Sequence, residues 1–324
     1  MTVSRVINDS GYISPDTRAR VKVAIAELGY MPNALARQLR SKRTKTLALV
    51  VTDISNPFFT TIARGVEDTA KALGYAVMFF NSYESEVEEI EYVRVLIQRR
   101  VDGVLLVPAA GSVESIQLLQ EHGLPVVVLD RHVLVEQVDQ VRSDSEAGAH
   151  ALVRHMIGLG HRCIAVLTGP EVVSTSADRV AGYRRALAEA GLTSDDEQVH
   201  FGQYNEASGY EMTVRLLATL PRPTAIFAAN NFIAFGAIRA LREGGLTIPE
   251  DMSIAVFDDL PPGWVFDPFL TVVSQPAYEI GKQAAELILE RLAGKAPAEP
   301  RTIVLPSELI TRRSTAPLHR EAAA

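Results

Sequence analysis

The sequence has a single cysteine, Cys163, among its 324 residues. One cysteine can form neither an internal disulfide nor a zinc site built from several thiolates. Because it lies in the apolar run Cys-Ile-Ala-Val-Leu, we expect it to be a core residue rather than a reactive thiol. Long apolar runs are also missing: the stretch at 126–129 falls far short of the ~18–20 residues that cross a bilayer.

Signals for secretion and for common enzyme chemistry are likewise missing. The N-terminus has no apolar core of the kind found in signal peptides, which predicts a cytoplasmic protein. The sequence contains no HExxH pattern, no GxxxxGK[ST] loop and no GxGxxG after a predicted strand. Asp258 and Asp259 are adjacent in a predicted loop, so their carboxylates point in different directions and do not suit acid–base catalysis. We therefore predict no enzyme activity, no cofactor and no metal site.

Charge is unevenly distributed along the chain, whose net charge is −7. The first 45 residues carry nine basic and three acidic side chains, whereas the remainder carries 23 basic and 36 acidic ones. A short basic segment before a large acidic body indicates that only the segment meets a polyanion such as DNA. Charge alone leaves open the alternative that this segment only aids solubility.

From residue 46 on, short apolar runs alternate with helical stretches of ~12–16 residues, which is typical of parallel sheets covered by helices on both faces. The strands are too many for one modest sheet and too irregularly spaced for an eightfold barrel. The predicted fold class is therefore α/β, with two doubly wound parallel sheets in separate lobes. The predicted strands are 47–51, 75–80, 104–107, 126–129, 138–141, 164–167, 199–201, 225–228, 254–257, 270–273 and 302–305, and the main helices are 59–73, 84–100, 112–122, 146–159, 177–190, 207–218, 232–243 and 279–292.

In open parallel sheets, ligands bind where the strands end. The residues that follow the predicted strands include carboxylates, amides, a guanidinium and two phenylalanines. Such groups suit a polyhydroxylated small molecule, because carboxylates and amides can address neighbouring hydroxyls and rings can stack on C–H faces. Any single member could instead be a turn or capping residue. The set comprises Asp53, Ser55, Asn56, Phe58, Phe59, Asn81, Asp130, Arg131, Asn230, Asn231, Asp258, Asp259, Ser274 and Gln275.

The first 45 residues follow a different, helical pattern. The segment 2–8 is short and amphipathic. A second helix is predicted over 17–28, with Ser14 as its N-cap, Pro15 in its first turn and Gly29 at its end. A third short helix is predicted at 32–40, followed by a basic link into the body.

These segments, taken in order with several in the body, resemble the LacI/GalR family of bacterial transcription regulators. Any one motif is weak, but the ordered set is specific and covers essentially the whole chain. The matching segments are TVSRVIN (2–8), SPDTRARV (14–21), AIAELGYMPNALARQLRS (24–41), DISNPFF (53–59), RVDG (100–103), LPVVVLDR (124–131), LGHR (159–162), DRVAGYRRAL (178–187), PTAIFAANN (223–231), IPEDMSIAVFDD (248–259) and LTVVSQP (270–276).

The resemblance implies an all-α helix-turn-helix head, a hinge helix and a core similar to periplasmic sugar-binding proteins. It divides the chain into a head with its hinge over 1–45, a DNA-proximal lobe over 46–144 plus 275–296, and a second lobe over 145–274 plus 297–324. Family heads begin with a further helix and turn before TVSRV, so we expect the head of this sequence to be partial and to bind DNA poorly as written. A homodimer is implied as well, since two half-sites need two heads.

The resemblance also implies DNA contacts. Thr2, Ser4 and Arg5 fall on the recognition helix, which enters the major groove, where the Arg5 fork can pair with guanine O6 and N7. The hinge helix at 33–40 is expected in the minor groove, with Leu39 as a wedge in a base step or as a packing residue between paired hinges. The predicted DNA-binding residues are Thr2, Ser4, Arg5, Asn33, Ala36, Leu39 and Arg40.

The effector pocket implied by the resemblance overlaps with the strand-end set. Arg179 and Asp258 are expected to face the ligand from the second lobe, and the place of Arg179 rests on the resemblance alone. Position 173 is Val where purine-responsive members have Arg, which favours a neutral sugar over a purine. Trp264 is expected to stack on the sugar or to pack between the lobes. The predicted effector-binding residues are Asn56, Phe58, Phe59, Asp130, Thr175, Arg179, Tyr204, Asn231, Asp258 and Gln275.

The sequence therefore predicts a sequence-specific transcriptional repressor whose affinity for operator DNA is controlled by a sugar bound between the lobes. Ligand would close or twist the lobes about three crossover strands, and the paired hinge helices would form or melt. Two alternatives stay open. One is a cytoplasmic sugar-binding protein whose incomplete head is not functional. The other is a solute-binding protein for transport, against which the missing signal peptide and the TVSRVIN segment argue.

Overall fold

The computed structural model describes residues 2–7, 11–29, 43–111, 113–193, 195–261 and 267–318, and the chain separates into two compact units, 1–44 and 45–324. In the first unit, helix α1 (Thr2–Ile7) packs against helix α2 (Pro15–Glu27). The Ser14 side chain caps α2 by accepting a hydrogen bond from the Thr17 amide at 3.3 Å, as predicted. The predicted third helix at 32–40 lies outside the described residues.

The second unit is built from two sheets dominated by parallel strands, which confirms the predicted α/β class. Each strand coincides with, or lies within a residue or two of, an apolar run in the sequence, except for the last. The strands are β1 (Thr46–Val51), β2 (Ala76–Asn81), β3 (Gly103–Leu106), β4 (Val126–Leu129), β5 (Asp139–Ser143), β6 (Ile164–Thr168), β7 (Val199–Phe201), β8 (Ala225–Ala228), β9 (Ser253–Phe257), β10 (Thr271–Ser274), β11 (Thr302–Leu305) and β12 (Glu308–Ile310).

The two sheets have equivalent strand orders. They are β11-β5-β4-β3-β1-β2 in the first lobe and β12-β10-β9-β8-β6-β7 in the second. β1 lies between β2 and β3, with Leu47 opposite both Val77 and Gly103. β12 runs antiparallel to β10, and the other pairings among the described strands are parallel. β12 is not among the predicted strands, because its three residues, Glu-Leu-Ile, form no fully apolar run.

Helices cover both faces of each sheet, because alternate residues of a strand point to opposite faces. In β1, Leu47 and Leu49 belong to the core beneath the helices at 57–72 and 277–292, whereas Ala48 and Val50 belong to the core beneath the helices at 86–99 and 114–121. Among the described residues, no helix combines the length and apolarity that a bilayer crossing requires. The helices are α3 (Pro57–Ala72), α4 (Glu86–Arg99), α5 (Glu114–Glu121), α6 (Ser145–Gly158), α7 (Ser174–Glu189), α8 (Glu206–Leu217), α9 (Asn231–Glu243) and α10 (Ala277–Leu292).

The chain passes between the lobes three times, and the last passage corrects the predicted domain boundary. We predict 297–324 in the second lobe, but β11 pairs with β5 of the first sheet, so this assignment is wrong at 302–305. Ile303 and Leu305 pack against the core of the first lobe, which explains why the strand belongs there. Cys163 is half-buried just before β6, at the edge of the core rather than inside it.

Helices α8 and α9 cross so closely that two glycines form the contact. A Cβ atom on Gly236 would collide with the carbonyl oxygen of Glu206 and lie 2.5 Å from the Tyr210 amide nitrogen. A Cβ atom on Gly209 would collide with the backbone of Ile233. Backbone atoms cannot move aside as flexible side chains can, so this crossing requires glycine at both positions.

We expect Gly236→Ala to lower the free energy of unfolding by about 1–3 kcal/mol, because the added methyl group forces the two helices apart. Gly158→Ala is the matched control, since a Cβ atom there meets no atom within 4 Å. It should leave stability unchanged or raise it by about 0.4–1 kcal/mol. Urea denaturation followed by circular dichroism measures both, and equal stabilities of the two variants would contradict the assigned packing.

Candidate ligand-binding cleft

The carboxyl ends of the strands in both lobes meet around a cavity of about 350 Å³. Nine of the ten predicted effector-binding residues line it, and Asn231 is the exception. The two phenylalanines, Phe58 and Phe59, lie in the first turn of helix α3 and pack edge to face with ring centroids 5.2 Å apart. The lining residues are Thr52, Asp53, Ser55, Asn56, Phe58, Phe59, Tyr83, Glu84, Asp130, Arg131, Thr175, Arg179, Gln203, Tyr204, Asn205, Asn230, Asp258 and Gln275.

Two aspartates occupy equivalent positions in the two lobes. Asp130 follows β4 and Asp258 follows β9, and both have left-handed backbones, with φ of 65° and 78°. Each amide donates a 2.9 Å hydrogen bond to the neighbouring strand, at Val141 in the first lobe and Val273 in the second. Aspartate tolerates this conformation better than most residues, although it still costs free energy. The strained turns hold both carboxyl groups at the cleft.

Burial changes the acidity of these carboxyl groups. It raises the pKa of Asp130 to about 6, against the opposing effect of the Arg131 and Arg179 guanidinium groups. It also raises the pKa of Asp258, opposed by Arg179 and by a hydrogen bond from Gln275. A carboxyl group with a pKa near 6 is largely ionised at neutral pH, so Asp130 can accept hydrogen bonds from ligand hydroxyls there.

Arg179 presents a buried guanidinium group from helix α7. It is 3% exposed, and its guanidinium carbon lies 3.9 Å from the centroid of the Phe257 ring. Its Nη1 donates to the Ala229 carbonyl oxygen at 2.6 Å, while its Nε–H has no partner among the described residues. Nearby, the Tyr204 hydroxyl is 2.7 Å from Ser176 Oγ and 3.2 Å from Thr175 Oγ1. The second lobe therefore offers hydrogen-bond donors and hydroxyl groups to the cleft.

Two sets of hydrogen bonds join the lobes at this site. Asn56 Oδ1 caps helix α3 by accepting from the Phe58 amide at 3.0 Å and also accepts from Asn231 Nδ2 at 3.2 Å. Gln275, in the second passage between the lobes, bonds to Ser143 Oγ and to Asp258 Oδ1. Asn231 thus contributes a contact between lobes rather than a face of the cavity.

Some strand-end residues have structural roles instead. Asn81 Oδ1 accepts a hydrogen bond from the Ile54 amide at 3.1 Å, and Asp259 pairs with Arg312 at 2.6 Å. Neither they nor Ser274 line the cavity. Arg131 belongs to the strand-end set but not to the predicted effector-binding residues, and the structure adds it to the cavity wall. Four further lining residues are absent from the predicted set, although they follow β2 and β7 and the strand-end rule applies to them: Tyr83, Glu84, Gln203 and Asn205.

A further buried acid, Glu89, lies behind the cavity wall. Glu89 on α4 is fully buried and its Oε2 accepts a 2.6 Å hydrogen bond from the Ala109 amide. The preceding carbonyl, that of Pro108, accepts a 2.6 Å hydrogen bond from Arg131 Nη1. Burial raises the pKa of Glu89 to about 7, with the Ala109 amide and Ser115 opposing the rise. Glu89 therefore holds the turn against which Arg131 is fixed.

The predicted DNA-binding residues fall in the first unit. Thr2, Ser4 and Arg5 lie on α1, and the Arg5 side chain is exposed. The remaining predicted DNA-binding residues lie outside the described residues: Asn33, Ala36, Leu39 and Arg40. Trp264, predicted to stack on the sugar or to pack between the lobes, also lies outside them. Within the described ranges, no cluster of His, Cys, Asp and Glu side chains is suited to a metal ion.

The fold and the cleft define a two-lobed binding protein of the periplasmic-binding-protein type. A family profile described as periplasmic binding proteins and sugar binding domain of LacI family matches residues 44–313. A second, described as bacterial regulatory proteins, lacI family, matches residues 1–33. The chain therefore belongs to the LacI family, which confirms the predicted class of regulator rather than enzyme.

Relatives and solved structures resemble the chain over nearly its full length. It is 36% identical over 321 residues to the HTH-type transcriptional regulator DegA of Bacillus subtilis, covering 98% of this chain and 95% of the relative. It is 33% identical over 319 residues to the HTH-type transcriptional repressor PurR of Photobacterium profundum, covering 98% and 95%.

Two structures extend the comparison. A complex of the transcriptional regulator CelR with cellobiose shares 35% identity and a TM-score of 0.78, covering 96% of this chain and 94% of that one. A lac repressor dimer bound to operator and the anti-inducer ONPF shares 28% identity and a TM-score of 0.84, covering 97% and 94%.

The raised pKa of Glu89 predicts how stability depends on pH. The folded state holds this proton more tightly than the unfolded state, so the contribution is favourable below the ordinary pKa and is lost as pH rises to about 7. We expect Glu89→Gln to abolish this loss, gaining up to about 3 kcal/mol over wild type above pH 7 and little at low pH.

Urea denaturation at a series of pH values measures this difference. Glu88→Gln, an exposed neighbour on the same helix, should leave the pH profile of wild type unchanged. If the free energies of unfolding of wild type and Glu89→Gln changed with pH in parallel, Glu89 would have the same pKa in the folded and unfolded states, which would contradict the prediction.

Proposed function

We propose that this protein is a transcriptional repressor that binds operator DNA through its N-terminal unit and releases it when a neutral sugar binds in the cleft. The recognition helix is α1, with Arg5 reading a base edge in the major groove. The segment at 33–40 acts as the hinge helix in the minor groove, with Leu39 as the wedge. The effector contacts Asn56, Phe58, Phe59, Asp130, Thr175, Arg179, Tyr204, Asp258 and Gln275, and Asn231 assists by joining the lobes.

The observation that carries this proposal is the cavity between the lobes, where buried carboxylates and a buried guanidinium face one another beside aromatic rings. Asp130 and Asp258 supply acceptors for hydroxyl groups, and Arg179 supplies donors. Phe58 and Phe59 supply apolar faces for sugar C–H groups. The likeness to a regulator bound to cellobiose supports a sugar of this kind.

Position 173 supports a sugar over a purine. The family resemblance expects an arginine there in purine-responsive members, whereas this chain has Val173, which is fully buried before α7. It offers no charge or hydrogen bond to a heterocycle. The remaining polar groups of the cleft suit hydroxyl groups.

The mechanism follows from residues that belong both to the cleft and to the passages between lobes. Gln275 lies in one passage and bonds to Asp258 in the cavity, so a ligand that engages Asp258 also acts on the connection between lobes. A ligand that stabilises one relative orientation of the lobes changes its population by its differential affinity. In a dimer this reorientation alters the spacing of the two heads and hence the affinity for operator.

A homodimer fits the proposal because an operator with two half-sites needs two heads. The lac repressor dimer on operator supports this arrangement. Edge strand β2 carries Met78 and Phe79, which are 39% and 40% exposed and offer apolar surface for a partner. Operator binding assigns the protein to the cytoplasm, where bacterial DNA lies.

Operator affinity with and without sugar tests the proposal directly. In vitro selection from random DNA identifies a binding site, and fluorescence anisotropy measures its affinity with ribose, cellobiose and related neutral sugars. We expect one of them to weaken operator binding by about 5–150-fold, the range of allosteric coupling energies near 1–3 kcal/mol. A sugar that binds without changing operator affinity would contradict the proposed control, and failure to select any DNA would favour a sugar-binding protein without a functional head.

The variant Asp258→Asn separates effector binding from DNA binding. Loss of a charged acceptor should weaken the sugar about tenfold to a hundredfold, while operator affinity without sugar stays unchanged. Asp196→Asn, an equal charge change at a side chain that is 88% exposed, is the control. If Asp258→Asn and Asp196→Asn bound the sugar with equal affinity, Asp258 would not be an effector-binding residue.

The pKa of Asp130 predicts the pH dependence of sugar binding. Because ligand hydroxyls bond to the ionised form, affinity should fall up to about tenfold per pH unit below pH 6. Calorimetric titrations between about pH 5 and 8 measure this slope. Asp130→Asn should bind the sugar more weakly than wild type at high pH, and its affinity should depend less steeply on pH. Titration of Asp258 would account for the pH dependence that remains. An unchanged slope would exclude Asp130 as an acceptor.

A further inference from the structure

One wall of the cavity is closed by an ion pair between Glu84 and Arg131. Arg131 Nη1 donates to Glu84 Oε2 at 2.8 Å, and Nη2 donates to Oε1 at 2.5 Å. Nη1 also donates to the Pro108 carbonyl oxygen at 2.6 Å. Arg131 is 3% exposed, so its charge is largely removed from water. The two-pronged face of the guanidinium group, which suits a carboxylate or phosphate, is already occupied by Glu84.

The backbone is bent to bring Glu84 to this position. Tyr83 and Glu84 are consecutive non-glycine residues with left-handed φ values of 52° and 59°. The Ser82 amide donates to the Val51 carbonyl oxygen at 2.8 Å, and the Ser85 side chain caps α4, so the bend is fixed at both ends. Conformations of this kind persist where surrounding contacts enforce them and occur preferentially at ligand sites.

Glu84 also determines the charge balance of the cavity wall. The lining carries the carboxyl groups of Asp53, Glu84, Asp130 and Asp258, against the guanidinium groups of Arg131 and Arg179. Asp53 is satisfied locally, since its Oδ1 accepts from the Ser55 amide and hydroxyl. Without Glu84, Arg131 would face the cavity with Nη2 and the second N–H of Nη1 available to an anion, since the other N–H of Nη1 bonds to Pro108. With Glu84, an anionic ligand meets an acidic surface and no free cation from the first lobe.

We propose that Glu84 is a specificity-determining residue that selects uncharged, polyhydroxylated effectors and rejects their carboxylate and phosphate derivatives. The inference rests on the proposed function of the cleft and adds the residue that sets its charge preference. A merely structural role for Glu84, as the counter-ion of a buried arginine, would alter stability but not the ratio of affinities for anionic and neutral ligands.

The test measures that ratio in matched ligand pairs. Calorimetry gives the Kd values of ribose and ribose 5-phosphate, and of cellobiose and cellobionate, for wild type, Glu84→Gln and Glu84→Ala. We expect the Kd ratio of anionic to neutral ligand to fall at least about tenfold in both variants, because Arg131 gains a charged partner in the ligand. Glu91→Gln, an exposed position on α4, makes the same charge change outside the cavity and should leave the ratio unchanged.

A second arm is independent of the sugar. Inorganic sulfate, titrated against thermal unfolding at constant ionic strength, should stabilise Glu84→Ala but not wild type. The effect should be lost when Arg131→Ala is added. Unchanged ligand ratios, or equal sulfate effects in wild type and Glu84→Ala, would overturn the proposal. If wild type binds none of the sugars, the proposed sugar class fails, whereas the sulfate arm still decides whether Glu84 blocks an anion site at Arg131.

Discussion

Charged groups buried between two lobes are the constraint on which this structure depends. Asp130, Arg131, Arg179 and Asp258 are each less than one tenth exposed, and burial of an uncompensated charge is strongly unfavourable. Three of them have partners built into the fold: a carboxylate for Arg131, a carbonyl oxygen and an aromatic ring for Arg179, and the Gln275 amide for Asp258. Asp130 is the exception: its Oδ1 has no hydrogen-bond partner among the described residues, and the nearby Arg131 and Arg179 charges favour its ionised form. The parallel sheets make this possible, because their strands end at the same edge and deliver polar turns from both lobes to one place.

The main elements of the fold follow from local pattern. Short apolar strands between helical stretches predict both sheets, and the glycines after helices mark several of their ends. The strand-end rule finds Asp53, Asn56, Asp130, Arg131 and Asp258 without reference to any family, because it depends only on parallel topology. The pattern predicts the strand at 302–305, but it predicts neither the lobe to which β11 belongs nor the short, partly exposed strand β12. Two residues separate strands that belong to different sheets, and no periodicity indicates such a change of lobe.

Contacts between residues that are far apart in the sequence cannot be predicted from local sequence patterns. Asn231 pairs with Asn56 across 175 positions, and Arg131 pairs with Glu84 across 47. Neither pair has a signature in its local sequence. Glu84 also lies in a left-handed turn. A glycine or asparagine at this position would have predicted such a turn from the sequence, whereas the pair Tyr83-Glu84 does not. The burial of Glu89 is equally hard to predict. An acidic residue in the first turns of a helix is normally interpreted as an exposed charge that interacts favourably with the helix N-terminus, not as a buried carboxyl group.

The hydrogen bond between Asn56 and Asn231 has a kinetic consequence. It links the two lobes through side chains that are 5% and 1% exposed, so a reorientation that separates the lobes at this point must first break it. In the proposed mechanism, the rate at which the lobes exchange between arrangements then limits how fast operator affinity follows the ligand. A sensor of this design averages the supply of its signal over the lifetime of one lobe arrangement and does not follow brief fluctuations.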